Sequence, residues 1–334
     1  MGIKIESGNH PLLKKITLSN DYLTATFVNY GARMYELWAP DAHFKHENIL
    51  LTLDKEEQLL TDTSFFGAVV GPVAGRIREG ECHNYSLEKN EKKHHIHGGS
   101  NGWSFQFWSV TTAEGKDFSR VSFSLIDTLS GYPGPIHVTV HYTLEKNQLI
   151  MEMDYWAEKQ TWINPTSHTY FNLSGNGKRK IQEHFLTVKT KGLLELDKDK
   201  LPTGKLLTSS KIIPLLLKEV RLSDLFQIIP QGLDDPFILK TLTKNEPNLI
   251  LSEPLSGRKL EIFTDQPSFV LFSTTGFNSP ITVTGQKMCS QLGLAIEPQH
   301  LPDILHFPHW GTIEALPNTR YTRKTIYQFS TLDL

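Results

Sequence analysis

An all-β fold, a large antiparallel β-sandwich with few short helices, is what this sequence predicts, and three observations carry it. Apolar residues recur with period two rather than 3.6. The alternating runs follow one another across turns, with few helical stretches to carry crossovers. No Pro/Gly/Ser-rich linker divides the 334 residues, so 1–334 reads as a single domain.

The elements follow in order. A strand is expected over 22–29 and one or two helical turns over 54–60. Trp103, Phe105 and Phe107 alternate with Ser104 and Gln106, which predicts another strand running to Trp108. From 119 to 157 the alternation is sustained. Val121, Phe123 and Leu125 interleave with serines, then Ile136, Val138, Val140, Tyr142 and Leu144 with His and Thr. Leu149, Met151 and Met153 interleave with Glu152 and Asp154. These are consecutive half-buried strands, two of them separated by the Gly/Pro-rich turn 130–135. The lysine-rich stretch 189–210 reads as a long surface excursion, and 215–226 as a short helix. Further strands are expected at 260–264, 269–273 and 324–331.

Composition excludes several classes of function. Lys and Arg number 34 against 36 Asp and Glu, a formal charge of -2, which exerts no long-range pull on nucleic acid or anionic membrane. Such a surface suits a small uncharged ligand. Two cysteines, Cys82 and Cys289, provide neither a disulfide scaffold nor a CxxC knuckle. Residues 1–20 have no apolar core of a signal peptide, and no window approaches the roughly 20 apolar residues of a membrane span. The expected protein is cytoplasmic, a monomer or homodimer, with no membrane or nucleic-acid partner.

Four islands set titratable residues among apolar and turn residues: 67–78 (GAVVGPVAGRIR), 94–103 (HHIHGGSNGW), 164–175 (NPTSHTYFNLSG) and 293–303 (GLAIEPQHLPD). Glu297 closes an apolar run. Burial there raises a carboxyl pKa toward the range of a general base, whereas an exposed strand end leaves an ordinary glutamate. His168 titrates near neutrality and can give or accept a proton, or serve structurally by bonding a carbonyl. His97 is presented by Gly98-Gly99 on a flexible turn. His94, His95 and His97 invite a metal, but no matching ligand island stands at a recognised spacing, so no metal is expected. Gly98-Gly-Ser-Asn-Gly102 formally matches GxSxG, yet a strand follows where the nucleophile elbow needs a helix. Gly67, Gly71 and Gly75 match neither GxGxxG nor a Walker loop.

Taken together and in this order, the islands resemble the aldose 1-epimerase (galactose mutarotase) family. HIHGGSNGW is similar to its Leu-His-Gly-Gly signature, and NPTSHTYFNLSG to its Asn-Leu-Thr-Asn-His-Ser-Tyr-Phe-Asn-Leu segment. AIEPQHLPD resembles Leu-Glu-Pro-Gln-X-X-Pro-Asp, and GLDDPFIL resembles the Asp-His-X-Phe segment. The resemblance implies a large β-sandwich with the site in a cleft over one sheet. It implies an isomerase that needs no cofactor and opens and recloses a sugar ring to exchange α and β anomers. Glu297 would be the general base and His168 the general acid, while Arg76, His97 and Asp234 would hold the sugar. The chain departs from the family pattern at Pro72, Gly75 and Asp235, and near 269–274, where Leu271 stands about where some members carry a sugar-contacting glutamine. Three rival readings remain: a carbohydrate-binding protein without catalysis, a hexose-6-phosphate 1-epimerase served by Arg76 and Arg78, and a glycoside-processing enzyme pairing Glu297 with Asp234 or Asp303.

Overall fold

The computed structural model describes residues 1–241, 243 and 246–332. Three large antiparallel sheets dominate it. The first has five strands in sequence order from Gly2–Ser7 to His46–Asn48. The second has nine, ordered Ser109–Glu114, Ser119–Asp127, Ile136–Glu145, Gln148–Ala157, Tyr321–Thr331, Arg258–Thr264, Leu249–Glu253, Phe185–Val188 and Val220–Arg221. The third has six, ordered Thr169–Phe171, Leu294–Gln299, Ser268–Phe272, Asp234–Leu239, Thr190–Leu196 and Pro202–Leu207.

The alternation of 119–157 explains the nine-stranded sheet. Val121, Phe123, Val140, Tyr142, Leu149 and Met151 point to one face and are buried. That face packs on both smaller sheets. Tyr142 stacks on Phe27 of the first, with centroids 4.5 Å apart, and Tyr327 meets Phe171 of the third at 5.8 Å. The two smaller sheets continue into one layer where Leu50 bridges Phe171. Two layers therefore enclose one apolar interior, the sandwich expected of period-two patterning.

Several expectations need correction. The 189–210 stretch is not a surface excursion. It is a hairpin, Thr190–Leu196 with Pro202–Leu207, that completes the edge of the six-stranded sheet. Thr190, Leu193 and Leu194 are buried beneath it. The strand expected from Trp103 is instead a 3-10 turn, Trp103–Phe105, with the strand beginning at Ser109. Trp103 and Trp108 still reach the core. Trp103 donates its indole N–H to Asp127 at 2.9 Å, and Trp108 donates its own to the Trp103 carbonyl at 3.1 Å. The helix expected over 215–226 is divided into Ile213–Leu216 and Leu222–Ile228, because Val220–Arg221 pairs with Phe185–Val188 between them.

Candidate active site

Register on the six-stranded sheet builds one wall of the site. Along Leu294–Gln299, Leu294 and Ile296 face the apolar interior while Ala295, Glu297 and Gln299 face the other way, as the two-residue repeat requires. Glu297 pairs across strands with Val270 and that in turn with Pro236. Ala295 pairs with Phe272, and Phe272 with Asp234. These residues share a face, and all but Ala295 line a cavity of about 280 Å³. Leu271 lies on the opposite face, buried in the core, so Val270 and Phe272 are what this strand shows a ligand.

His168 reaches the cavity from the segment between Thr166–Ser167 and Thr169–Phe171. Its Nε2 lies 3.4 Å from a Glu297 carboxylate oxygen, and both residues are buried, at 6% and 3% exposure. Its Nδ1 has no hydrogen-bond partner of good geometry among the described residues and faces its own backbone carbonyl instead of a neighbour's. Burial opposes charge on both groups. It pushes Glu297 from 4.5 to about 8, helped by the negative charge of Asp234 and opposed by Arg76. It lowers His168 from 6.5 to about 4, with its own backbone carbonyl, then Asp62 and Asp234, pulling the other way. Glu297 stands inside its strand rather than at the strand's end. The side chain of Gln299 reaches it at 3.3 Å.

His97 sits in left-handed backbone, φ 53°, followed by Gly98 and Gly99 at φ 83° and 81°. The turn is close-packed rather than flexible: a Cβ on Gly98 would lie 1.9 Å from the Gly71 carbonyl oxygen. Gly98→Ala is therefore expected to misplace His97 and destabilise the fold by several kcal/mol, on the order of the largest single-site effects. Thermal melting checks it. The Gly75 N–H donates to His97 Nδ1 at 3.2 Å, which leaves Nε2 as the protonated nitrogen of a neutral ring. Burial, with His168 and Arg76 nearby, holds its pKa well below the usual value. Arg76 also lines the cavity and grips Glu91 with two bonds of 2.6 and 2.8 Å, leaving other N–H groups free to donate.

All five residues singled out by sequence, Arg76, His97, His168, Asp234 and Glu297, thus line one cavity. Two others were missed. Phe65 takes left-handed backbone, φ 59°, and stands 4.8 Å from the His97 ring and 5.8 Å from that of His168. Asp62 fixes that bend by accepting the Ser64 and Phe66 N–H groups at 2.8 and 3.0 Å, and is itself held by buried Arg33 at 2.5 Å. Lys200, in the misread hairpin, places its ammonium 3.2 Å from Asp234. Neither residue type carries a signal in sequence: a phenylalanine reads as core, a turn lysine as solvated surface.

The rivals lose ground on the same geometry. Asp303 bonds the Arg78 backbone at 2.9 Å and the His306 ring at 2.8 Å, and does not line the cavity, so it cannot pair with Glu297 in glycoside cleavage. Each cation at the cavity or beside it is matched by a carboxylate: Arg76 by Glu91, Arg78 by Asp303, Lys200 by Asp234. A phosphate would find no cation among these without a carboxylate partner. Among the described residues no group of three His, Cys, Asp or Glu side chains is placed to hold a metal ion.

Comparison with known proteins agrees with this architecture. The sequence profile of the aldose 1-epimerase family matches residues 14–328. Galactose mutarotase of Bos taurus is 30% identical over 325 residues, covering 95% of this chain and 94% of the relative. A maltose epimerase of Levilactobacillus brevis is 29% identical, with 96% of each chain covered. Among solved structures, galactose 1-epimerase of Lactobacillus acidophilus superimposes with a TM-score of 0.84 at 25% identity, covering 99% of both chains. An aldose epimerase homologue from C. elegans gives 0.85 at 25% identity, covering 96% of this chain and all of the other. This chain belongs to the aldose 1-epimerase family.

Proposed function

We propose that Glu297 and His168 open and reclose an aldose ring in this cavity, with Arg76, His97 and Asp234 holding the sugar. The enzyme is an isomerase that interconverts sugar anomers. The observation that carries the residue assignment is the buried His168–Glu297 pair at 3.4 Å. Because burial favours the neutral forms, the pair holds one proton between about pH 4 and pH 8. Ring opening needs that count: one group takes the C1 hydroxyl proton while the other gives a proton to the ring oxygen. The C1–O5 bond breaks, the open-chain aldehyde turns about C1–C2, and closure on the other face reverses both transfers. For Glu297 to act as base, the shared proton must sit on His168, and sugar hydroxyl groups bonding to the pair favour that charged arrangement. The neutral His97 ring donates from Nε2, Arg76 from its free N–H groups, and Asp234 accepts.

The pH profile follows from the proton count. Below about 4 the pair holds two protons and lacks a base; above about 8 it holds none and lacks an acid. Activity is expected to plateau between two apparent values that belong to the pair. A maximum confined below pH 4 or above pH 9 would contradict the assignment.

An unphosphorylated sugar fits best, because the cavity's cations are paired. Galactose leads among candidates and maltose follows, on the names of the relatives. Polarimetry of freshly dissolved α-anomers tests this: faster approach to an unchanged final rotation identifies the substrate, and no acceleration with either sugar removes the choice. We also place the chain, as one domain, in the cytoplasm as a monomer or homodimer. Among the described residues no helix is long and apolar enough to cross a membrane.

A further inference from the structure

We propose that Lys200 determines sugar specificity: with Asp234 it forms a donor–acceptor pair that reads a hydroxyl on the side of the ring opposite C1. The inference rests on the anomerase reading above and adds to it a residue and the part of the substrate it senses.

Lys200 is aimed at the cavity by a turn that is held at several points. Its own backbone is left-handed, φ 61°, a conformation that costs energy for a lysine unless the surroundings enforce it. Asp197 enforces it by accepting the N–H groups of Asp199 and Leu201 at 2.8 and 3.1 Å on one carboxylate oxygen. The Asp197 carbonyl takes the Lys200 N–H at 3.0 Å. The turn is also moored to residues beside the cavity. Arg78 donates to the Pro202 carbonyl at 2.9 Å and stands 3.9 Å from Asp197. Buried His94 stands 3.9 Å from Asp199. The backbone tip is thus held in place, and it presents the Lys200 side chain at the cavity mouth within reach of Asp234.

Stability does not account for the contact. Both side chains are around two-fifths exposed, and ion pairs so open to water contribute little. Recognition does account for it. The lining residues next to the pair in strand register, Pro236, Val270 and Phe272, are apolar, and so is Leu196, so Lys200 and Asp234 are the charged groups that a hydroxyl docking beside them meets among the described residues. Lys200 keeps two N–H donors beyond the one facing Asp234, and Asp234 keeps lone pairs, so one hydroxyl can accept from the first and donate to the second. The pair is electrically balanced and matches a neutral hydroxyl rather than an anion.

The sheet sets which hydroxyl. Asp234 lies two strands from the strand of Glu297, across Ser268–Phe272. Strands are spaced about 4.8 Å apart, so the two backbones stand roughly 10 Å from each other. Side chains converging from both strands span one pyranose ring. With C1 and the ring oxygen at Glu297 and His168, Lys200 and Asp234 meet the C3–C4 edge.

The test compares wild type with Lys200→Met and Lys200→Arg on galactose and its 3-deoxy, 4-deoxy and 6-deoxy analogues. Anomer exchange is followed by NMR to give kcat and KM. Lys200→Met is expected to raise KM for galactose about tenfold, as loss of a charged hydrogen bond does, with kcat within about threefold and an unchanged melting temperature. The wild type should be penalised by removal of the 3- or 4-hydroxyl, the Lys200→Met variant much less, and Lys200→Arg should recover part of the loss. An unchanged KM, a loss confined to kcat, or equal deoxy penalties in wild type and variant would overturn the proposal. If the wild type exchanges no anomers, the anomerase reading fails by itself. The same series is then read as binding heats, and either no sugar binding or a deoxy penalty indifferent to Lys200 overturns the inference as well.

Discussion

Glu297→Gln is expected to lower anomer-exchange turnover by about 10²–10⁴-fold while making the protein more stable in alkali. The substitution keeps the shape and the hydrogen-bonding edge toward Gln299 but cannot take up or release a proton. The stability gain follows from burial. In the wild type the carboxyl titrates at about 8 when folded against an ordinary 4.5. Its contribution to stability is complete below about 4.5 and is lost progressively as pH rises to 8. That loss is at most about 5 kcal/mol at and above pH 8, less what His168 and local relaxation return. The glutamine variant has nothing to lose over that window. Melting temperatures of the two proteins should nearly coincide at pH 4.5 and separate by pH 8, with the variant higher. Retained turnover would remove Glu297 from the chemistry, and a variant less stable at pH 8 would show that the wild-type carboxyl is not penalised by its surroundings.

Asp62→Ala is expected to damage folding and activity together. Arg33 is fully buried and depends on Asp62 at 2.5 Å; its remaining partners are the Phe66 and Ser104 carbonyls at 3.2 and 3.4 Å. Removing the carboxylate leaves a buried uncompensated charge, which costs about 3–5 kcal/mol. It also releases the Ser64 and Phe66 N–H groups and with them the bend that sets Phe65 against His97 and His168. Thermal melting should fall by on the order of 10 °C. Activity measured well below the new midpoint should still fall, because the aromatic wall is lost. Arg33→Met combined with Asp62→Leu separates the effects. Replacing both members with apolar groups of similar volume is expected to recover much of the stability, yet without the carboxylate the Phe65 bend and the activity stay impaired. Full activity in the double variant would show that Phe65 does not depend on this pair.

The sandwich was legible in the sequence wherever one face of a strand is buried and the other wet. The run 119–157 is the clearest case, because its alternation is a direct record of two environments. The hairpin at 189–210 was not, and the reason is physical. Pro202–Leu207 is an edge strand, largely exposed, and its lysine and glycine blunt pairing with foreign strands while erasing the apolar repeat. Trp103 misled in the opposite sense. Its alternation with neighbouring aromatics suggested a strand, but the Trp103 N–H bonds the Gly71 carbonyl at 2.9 Å and tertiary packing imposes a 3-10 turn. The site was legible through its titratable residues, since buried glutamate and histidine at turn-rich islands are uncommon outside function. Lys200 and Phe65 were not, because their contribution lies in backbone turns that only the folded chain displays.

The alternation along the six-stranded sheet also bears on how this catalyst could diverge. Leu294, Ile296, Leu271 and Phe237 hold the interior, while Glu297, Val270, Phe272 and Asp234 line the cavity, and the two sets interleave on the same strands. A mutation at Val270 or Asp234 leaves the packing of the interior face in place, whereas Phe272 also packs against the buried cluster of Tyr170 and Ala295, and Glu297 carries the stability term described above. New specificities can then accumulate at Val270 and Asp234 with little draw on the stability reserve, and a randomised library at 234 and 270 samples recognition on a nearly unchanged scaffold.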